Sequence, residues 1–415
     1  GQAAYFGNVS VTAVTQDTIP DYTRAWAGEL AYMVVDSDGK IYTWGSDAYN
    51  ESGRGASDDT PTVLTQITDP VSNVWSEGGP GRTRIVKTST NKWYMWGNNN
   101  NLGKIFGVTT NQTTPIEVTS YFTSYFGDQS VTDNKIIKIV TSASSSTALT
   151  AGGKVWSWGS DNGMYETGNN TNTTTTVPFL LTTNGTTELT GIIDIQSGHY
   201  GKLVLDSSGN VWRWGRITAG SIISRPTQQS ISNIIGIGGS FFTCYAWKAD
   251  GTIYSIGSGT YGQLGNGANT DQDTTWQTVT TLQGKTIYAI YGGGYSVIAH
   301  TNDGVWVCGQ GTHYNLALGT DLNNKNVFTK STALSALDIY SIDYNHQSGI
   351  VITTDGKGYM WGKDALNAMP SPLSGDKNVP TESSTLSDLS LVLTETIVQP
   401  PGVTYDIDTL AFHHG

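Results

Sequence analysis

The stretch YMVVDSDGKIYTWG, Tyr32 to Gly45, is an apolar run, an Asp-Gly pair, a strand of alternating polarity and a Trp-Gly close. Asp-Gly between two such runs is a strong hairpin signal, because a two-residue turn needs positive φ that few side chains tolerate. The close is the informative part. Aligned on Gly45, the pattern returns at Gly97, Gly159, Gly215, Gly257, Gly309 and Gly362, at gaps of 52, 62, 56, 42, 52 and 53 residues. Self-similarity at such a period marks a repeat architecture.

The strands that run into these glycines read KIYTWG, KWYMWG, KVWSWG, NVWRWG, TIYSIG, VWVCG and KGYMWG. Residues two apart on a strand share a face, so Tyr42 sides with Trp44, Tyr94 with Trp96, Trp156 with Trp158, Trp212 with Trp214 and Tyr359 with Trp361. Packing between repeats accounts for this aromatic face better than a ligand box does. Upstream of each hairpin lies a short apolar strand ending in small residues, as in KIVTSAS, GIGGS and AIYGGG. Small residues suit strands crowded around a common axis. The variable segment after each anchor Gly has room for a fourth strand, and helical periodicity is weak.

These features predict an all-β fold, a seven-bladed β-propeller of four-stranded antiparallel blades closed by terminal strands. Residues 1–20 are then an N-terminal arm or closing strand, 21–370 the repeats, and 371–415 a C-terminal closing strand and tail that can reach a neighbouring subunit. One terminal segment is expected to complete the blade begun by the other. The structural anchors are Gly45, Gly97, Gly159, Gly215, Gly257, Gly309 and Gly362, with Trp44, Trp96, Trp158, Trp214 and Trp361 before them.

The segment DGTIYSIGSGTYGQLGNG, Asp250 to Gly267, resembles the repeat of the regulator-of-chromosome-condensation family. IIDIQSGHYGKLVLDSSGNVWRWG, Ile192 to Gly215, is similar to the half that precedes it. Only Gly262-Gln263-Leu264-Gly265 preserves the family's full turn; elsewhere stand ESGRG, NNLGKIFG, GMYETG and HYNLALG, and the fourth copy shrinks to RITAG. The chain thus resembles a divergent member. The resemblance implies a rigid disc whose loops bind another macromolecule. Some members exchange nucleotide on a small GTPase by protein contact, but no matching positions carry such a site over, and fold alone does not yield function.

Reactive groups are few. His199 and His346 fall at corresponding places in two repeats and read as structural, His300 and His313 lack an evident acid partner, and His413-His414 reads as an incidental tail. Cys308 replaces the anchor Trp and, like Cys244, reads as a small buried apolar residue. Gly284-Lys285-Thr286 is not a phosphate loop, since Val279 stands where Gly is required. No catalytic residue, metal ligand or cofactor is assigned, and the protein is read as non-enzymatic. A structural calcium ion is left open at Asp36–Gly39, Asp271–Asp273 and Tyr405–Asp408. YFTSYFG, Tyr121 to Gly127, lies in the longest interval and has two readings. Tyr121, Phe122, Tyr125 and Phe126 are either partner-binding aromatics on an excursion or a segment folded back over a blade edge.

Charged residues are only 13% of the 415, against 50 Gly, 13 Trp and 21 Tyr, and the formal net charge is −12. That sign argues against nucleic acid, and no apolar run is long enough for a membrane span. Two cysteines exclude a disulfide scaffold. A Thr/Asn/Gly-rich, weakly charged β surface predicts a virion or extracellular location. The expected role is a virion structural or host-recognition component, such as a bacteriophage tail, fibre or capsid-surface protein. Its partners would be other protein chains of the assembly, or a host glycan or receptor. The alternatives are a secreted or cell-surface bacterial binding protein or adhesin, and an intracellular GTPase regulator of the nucleotide-exchange type.

Overall fold

The computed structural model of the protein describes residues 25–28, 31–75, 82–99, 104–161, 163–218, 220–365 and 367–392. These hold 28 strands, laid down in chain order as four-strand antiparallel meanders at 25–63, 71–117, 136–180, 192–228, 236–279, 287–330 and 339–383. Five are separate four-stranded sheets. The meanders 236–279 and 287–330 share one eight-stranded sheet through a parallel pairing of Gly239 with Tyr291.

The repeated sentence explains each meander. The second and third strands pair in register, Tyr32 opposite Trp44 and Met33 opposite Thr43, across turns whose glycines take positive φ, such as Gly39 at 78°. Where the second copy lacks that Gly, Asn91 adopts φ 63° instead, as asparagine tolerates best among larger residues. At the anchor Gly the ladder to the outer strand slips, for example between Ser255 and Gly257. Gly257 has φ 126°, and a Cβ there would collide with the Phe242 carbonyl oxygen. That same carbonyl accepts the Ser258 N–H at 2.7 Å. The bulge therefore needs both the backbone freedom and the missing side chain of glycine.

Each anchor Trp reaches into the preceding meander. The indole N–H of Trp96 donates to Glu51 O at 3.0 Å, Trp158 to Lys104 O at 3.1 Å, Trp214 to Glu166 O at 2.9 Å and Trp361 to Asn315 O at 2.9 Å. Trp44 of the first meander donates to Ala368 O of the last, at 2.9 Å. All five indoles are fully buried. Each removes roughly 150–250 Å² from water, worth ~4 kcal/mol or more. The buried apolar clusters lie between successive meanders; one joins Tyr32, Val34 and Trp44 to Ile350, Met360 and Leu386.

The residue whose carbonyl accepts the indole also buries its own side chain, and what fills that slot changes along the chain. Glu51 pairs with Arg84 at 2.9 Å, both buried. Glu166 accepts Ser142 Oγ at 2.6 Å and the Ser144 N–H at 3.2 Å, beside Lys202. Burial raises the Glu166 carboxyl above its ordinary range, against the pull of Lys202. Lys104 donates to Ala143 O at 3.0 Å, and burial pushes its ammonium down to about 8. In the later meanders the slots are neutral. Gln263 O accepts the Tyr245 hydroxyl and, at 3.6 Å, the Cys308 thiol. Asn315 Nδ2 donates to Ser296 Oγ at 2.9 Å, which also bonds the Tyr344 hydroxyl.

Two expectations change in the structure. The segment read as an excursion or folded-back loop is a helix, Thr119–Phe126, seated against the second and third meanders. Its eight residues are too short to show a helical period against the surrounding strands. The last meander supplies its own fourth strand, Lys377–Ser383, so the boundary at residue 370 falls inside it, and among the described residues no strand is exchanged between the ends. The closing strands expected at 1–20 and beyond 392 lie outside the described residues.

Candidate contact face

The loops between the innermost and second strands emerge together at one end of the sheets. In the fourth to seventh meanders these are residues 198–199, 240–242, 294–295 and 345–347. The inner strands approach so closely that a Cβ on Gly293 would strike Asn345 O. Neighbouring loops also bond one another: the Ala143 N–H donates to His199 O at 3.1 Å, and the His199 N–H to Phe241 O at 2.6 Å. The backbone under this face is therefore held on several sides.

On it stands a run of half-buried rings. His199 stacks on Phe242 with centroids 5.3 Å apart and meets Tyr200 edge-on at 4.0 Å. Phe242 faces Tyr295 at 6.0 Å, and Tyr295 meets Tyr261 at 4.8 Å and His346 at 5.3 Å. His346 continues to Phe241 at 6.2 Å and His313 at 6.3 Å. In an adjoining sector Arg82 lies over Tyr49, 3.5 Å from the ring centroid.

Burial pushes His199 down to about 4, with Arg82 and Lys202 adding to the shift. Burial also lowers His313, helped by Lys363 and opposed by Asp376. At neutral pH these two imidazoles are uncharged and act as aromatic surface. Nδ1 of His199 is buried without a hydrogen-bond partner among the described residues, which does not suit a base held by an acid. The arrangement offers stacking, cation–π contact and apolar burial rather than proton transfer.

Three of the sequence-singled residues, His199, His313 and His346, belong to this face. Phe241, Phe242 and Tyr295 were missed, although they occupy the same column of the repeat. Tyr261 and His313 come from a second column, just before the turn that carries the accepting carbonyl. Reading columns across the copies, rather than single residues, would have found both sets.

The other candidates sit elsewhere. Of the helical aromatics, Phe122 and Phe126 are buried, Phe122 stacking on Trp93 at 3.8 Å, while Tyr121 and Tyr125 are half-buried against Phe106. Any contact role on that helix falls to the two tyrosines. His300 is largely buried against Tyr288 at 5.4 Å. Cys244 and Cys308 are free and buried; burial pushes the Cys244 thiol up to about 11 and raises Cys308 further. Asp36 Oδ1 accepts the N–H groups of Asp38 and Lys40 in its hairpin turn, and Asp271 Oδ1 accepts the Ser258 hydroxyl and the Gly259 N–H. Tyr405–Asp408 and His413-His414 lie outside the described residues.

The model of the regulator of chromosome condensation (RCC1) repeat matches residues 250–299. Mouse (Mus musculus) E3 ubiquitin-protein ligase HERC2 is 27% identical over 312 residues, 71% of this chain and 6% of that protein. The X-linked retinitis pigmentosa GTPase regulator homolog of Caenorhabditis elegans is 27% identical over 177 residues, 39% of this chain and 12% of that protein. The chain thus spans a small part of the length of these relatives. Among solved structures, Prp20p of Saccharomyces cerevisiae, described with its binding properties to Gsp1p and histones, superposes with a TM-score of 0.69. It shares 17% identity, over 87% of each chain, which speaks for the fold.

These likenesses overturn the role expected from composition. The relatives are eukaryotic ligase and regulator proteins, and nothing among them supports a virion component, a virion or host-receptor partner, or a virion or extracellular location. A weakly charged Thr/Asn/Gly-rich composition does not by itself give an address. The exclusion of nucleic acid is withdrawn as well, because total charge does not describe a local surface. No helix among the described residues is long and apolar enough to cross a membrane.

Proposed function

Because the chain is a divergent RCC1-like repeat protein, we propose that it is a closed seven-bladed propeller that binds a protein partner through the aromatic face, as a regulator of a small GTPase. The bond from Trp44 to Ala368, the Ala27 N–H donating to Asp343 Oδ2 at 2.8 Å, and the apolar cluster joining first and last meanders support the closure. The observation that carries the contact role is the half-buried run from His199 through Phe242 and Tyr295 to His346 on rigidly bonded loops. Rigid aromatic anchors on a preorganised frame are the groups that dominate protein interfaces. This part of the chain acts by binding rather than by turnover, and Tyr121 and Tyr125 form a second, smaller contact patch.

Release of fluorescent guanine nucleotide from a panel of small GTPases tests the reading. One of them is expected to show release accelerated at least ~10-fold, and Phe242→Ala with Tyr295→Ala to weaken that effect by ~10-fold or more. No acceleration across the panel, or a folded double variant as active as the parent, overturns it.

A further inference from the structure

The seam between the fourth and fifth meanders is built differently from the others. Only six residues separate Gly215 from Ile222, against 14 between Gly257 and Gln272, so the turn that elsewhere supplies the accepting carbonyl is missing. The fifth meander correspondingly carries Ile256, which has no side-chain N–H to donate, where five others carry Trp. Thr43 and Ser255, two residues before their anchor glycines, donate to their own turns at Ser52 O and Leu264 O. The fourth meander puts Arg213 at that position, and the residue is 2% exposed.

Its bonding is incomplete. Nη2 donates to Asp273 O at 3.3 Å, while Nε and Nη1 are buried with no partner among the described residues. The Asp273 carboxylate accepts the Thr218 hydroxyl instead. Trp276, which packs in this seam with Ile217, Cys244 and Ile256, has a buried indole N–H that is also unpartnered. Other buried cations are compensated: Arg84 by Glu51 and Lys138 by Asp194 at 3.0 Å. Lys104 can shed its proton, but a guanidinium cannot. The Asp273 carboxylate opposes the effect of burial on Arg213 but does not accept its N–H groups, and buried donors of a charged group left without an acceptor are strongly unfavourable.

We propose that the seam between the fourth and fifth meanders binds a small monovalent inorganic anion of the halide class, held by Arg213 Nε and Nη1. Asp273, which accepts from Nη2, is half-buried, and Thr274, Gly220 and Ile222 are exposed. The site does not depend on the partner assigned above. Crystals of the protein grown in sodium bromide are expected to show an anomalous peak within hydrogen-bond reach of Nε and Nη1. In solution the unfolding midpoint should lie about 2 °C or more higher in sodium bromide than in sodium gluconate of equal ionic strength. Arg213→Met should remove that difference. No peak beside Arg213 in the parent crystals, or equal parent midpoints in the two salts, overturns the proposal whether or not the variant folds.

Discussion

The early and late meanders solve one packing problem with different chemistry. In the first three, the slots beneath the indole bonds hold ions: Glu51 with Arg84, Lys104, and Glu166 beside Lys202. In the last three they hold neutral groups, Gln263 under Tyr245 and Asn315 with Ser296 and Tyr344. The late meanders also carry most of the aromatic face. The indole-to-carbonyl bond fixes the spacing of neighbouring sheets and is common to both regions. The slot beneath needs only matched donors and acceptors, so its residues diverge freely as long as they diverge in pairs.

The largest expected effect ignores the difference. Trp158→Ala and Trp361→Ala should each cost ~3–5 kcal/mol in urea unfolding, since each opens a large cavity and leaves a buried carbonyl unpaired. A much smaller loss in one region would mean that the indole bond is not the common element. The slots should then separate the regions. Glu51→Gln leaves Arg84 buried without its counter-charge and should cost ~2–3 kcal/mol. Gln263→Ala removes one neutral side chain and should cost ~1 kcal/mol.

Between these lies a pH effect centred on the fourth meander. His199 titrates near 6.5 unfolded and about 4 folded. The unfolded chain therefore takes up a proton first as pH falls, so stability is full above 6.5 and is lost towards 4. The loss amounts to ~2 kcal/mol once partial exposure is allowed for. His199→Phe should flatten that stretch of the stability–pH curve, and an unchanged slope would place the imidazole in solvent.

Much of the architecture was legible because repetition multiplies weak signals. One YTWG stretch is a hairpin; seven at regular spacing are a repeat, and the faces of Trp44, Trp96 and Trp214 follow from strand period alone. The helix Thr119–Phe126 was not legible, because its aromatics serve the core of neighbouring sheets and two turns give no period to read. The contact face was half visible. His199 and His346 attracted attention by residue type, whereas Phe241, Phe242 and Tyr295 look like core aromatics until their loops are seen to share one end. Composition misled about role, since surface polarity reports what a β surface tolerates rather than what binds it.

By itself the sequence determined the hairpins, the anchor glycines and the buried aromatic faces, because turn φ, strand alternation and side-chain volume act over a few neighbouring residues. Only the tertiary structure decided which carbonyl each indole reaches, which charges meet across a seam, and which rings stand together at the surface. Those contacts join residues as far apart as Trp44 and Ala368, and their partners are chosen by how whole sheets pack, which no local pattern encodes.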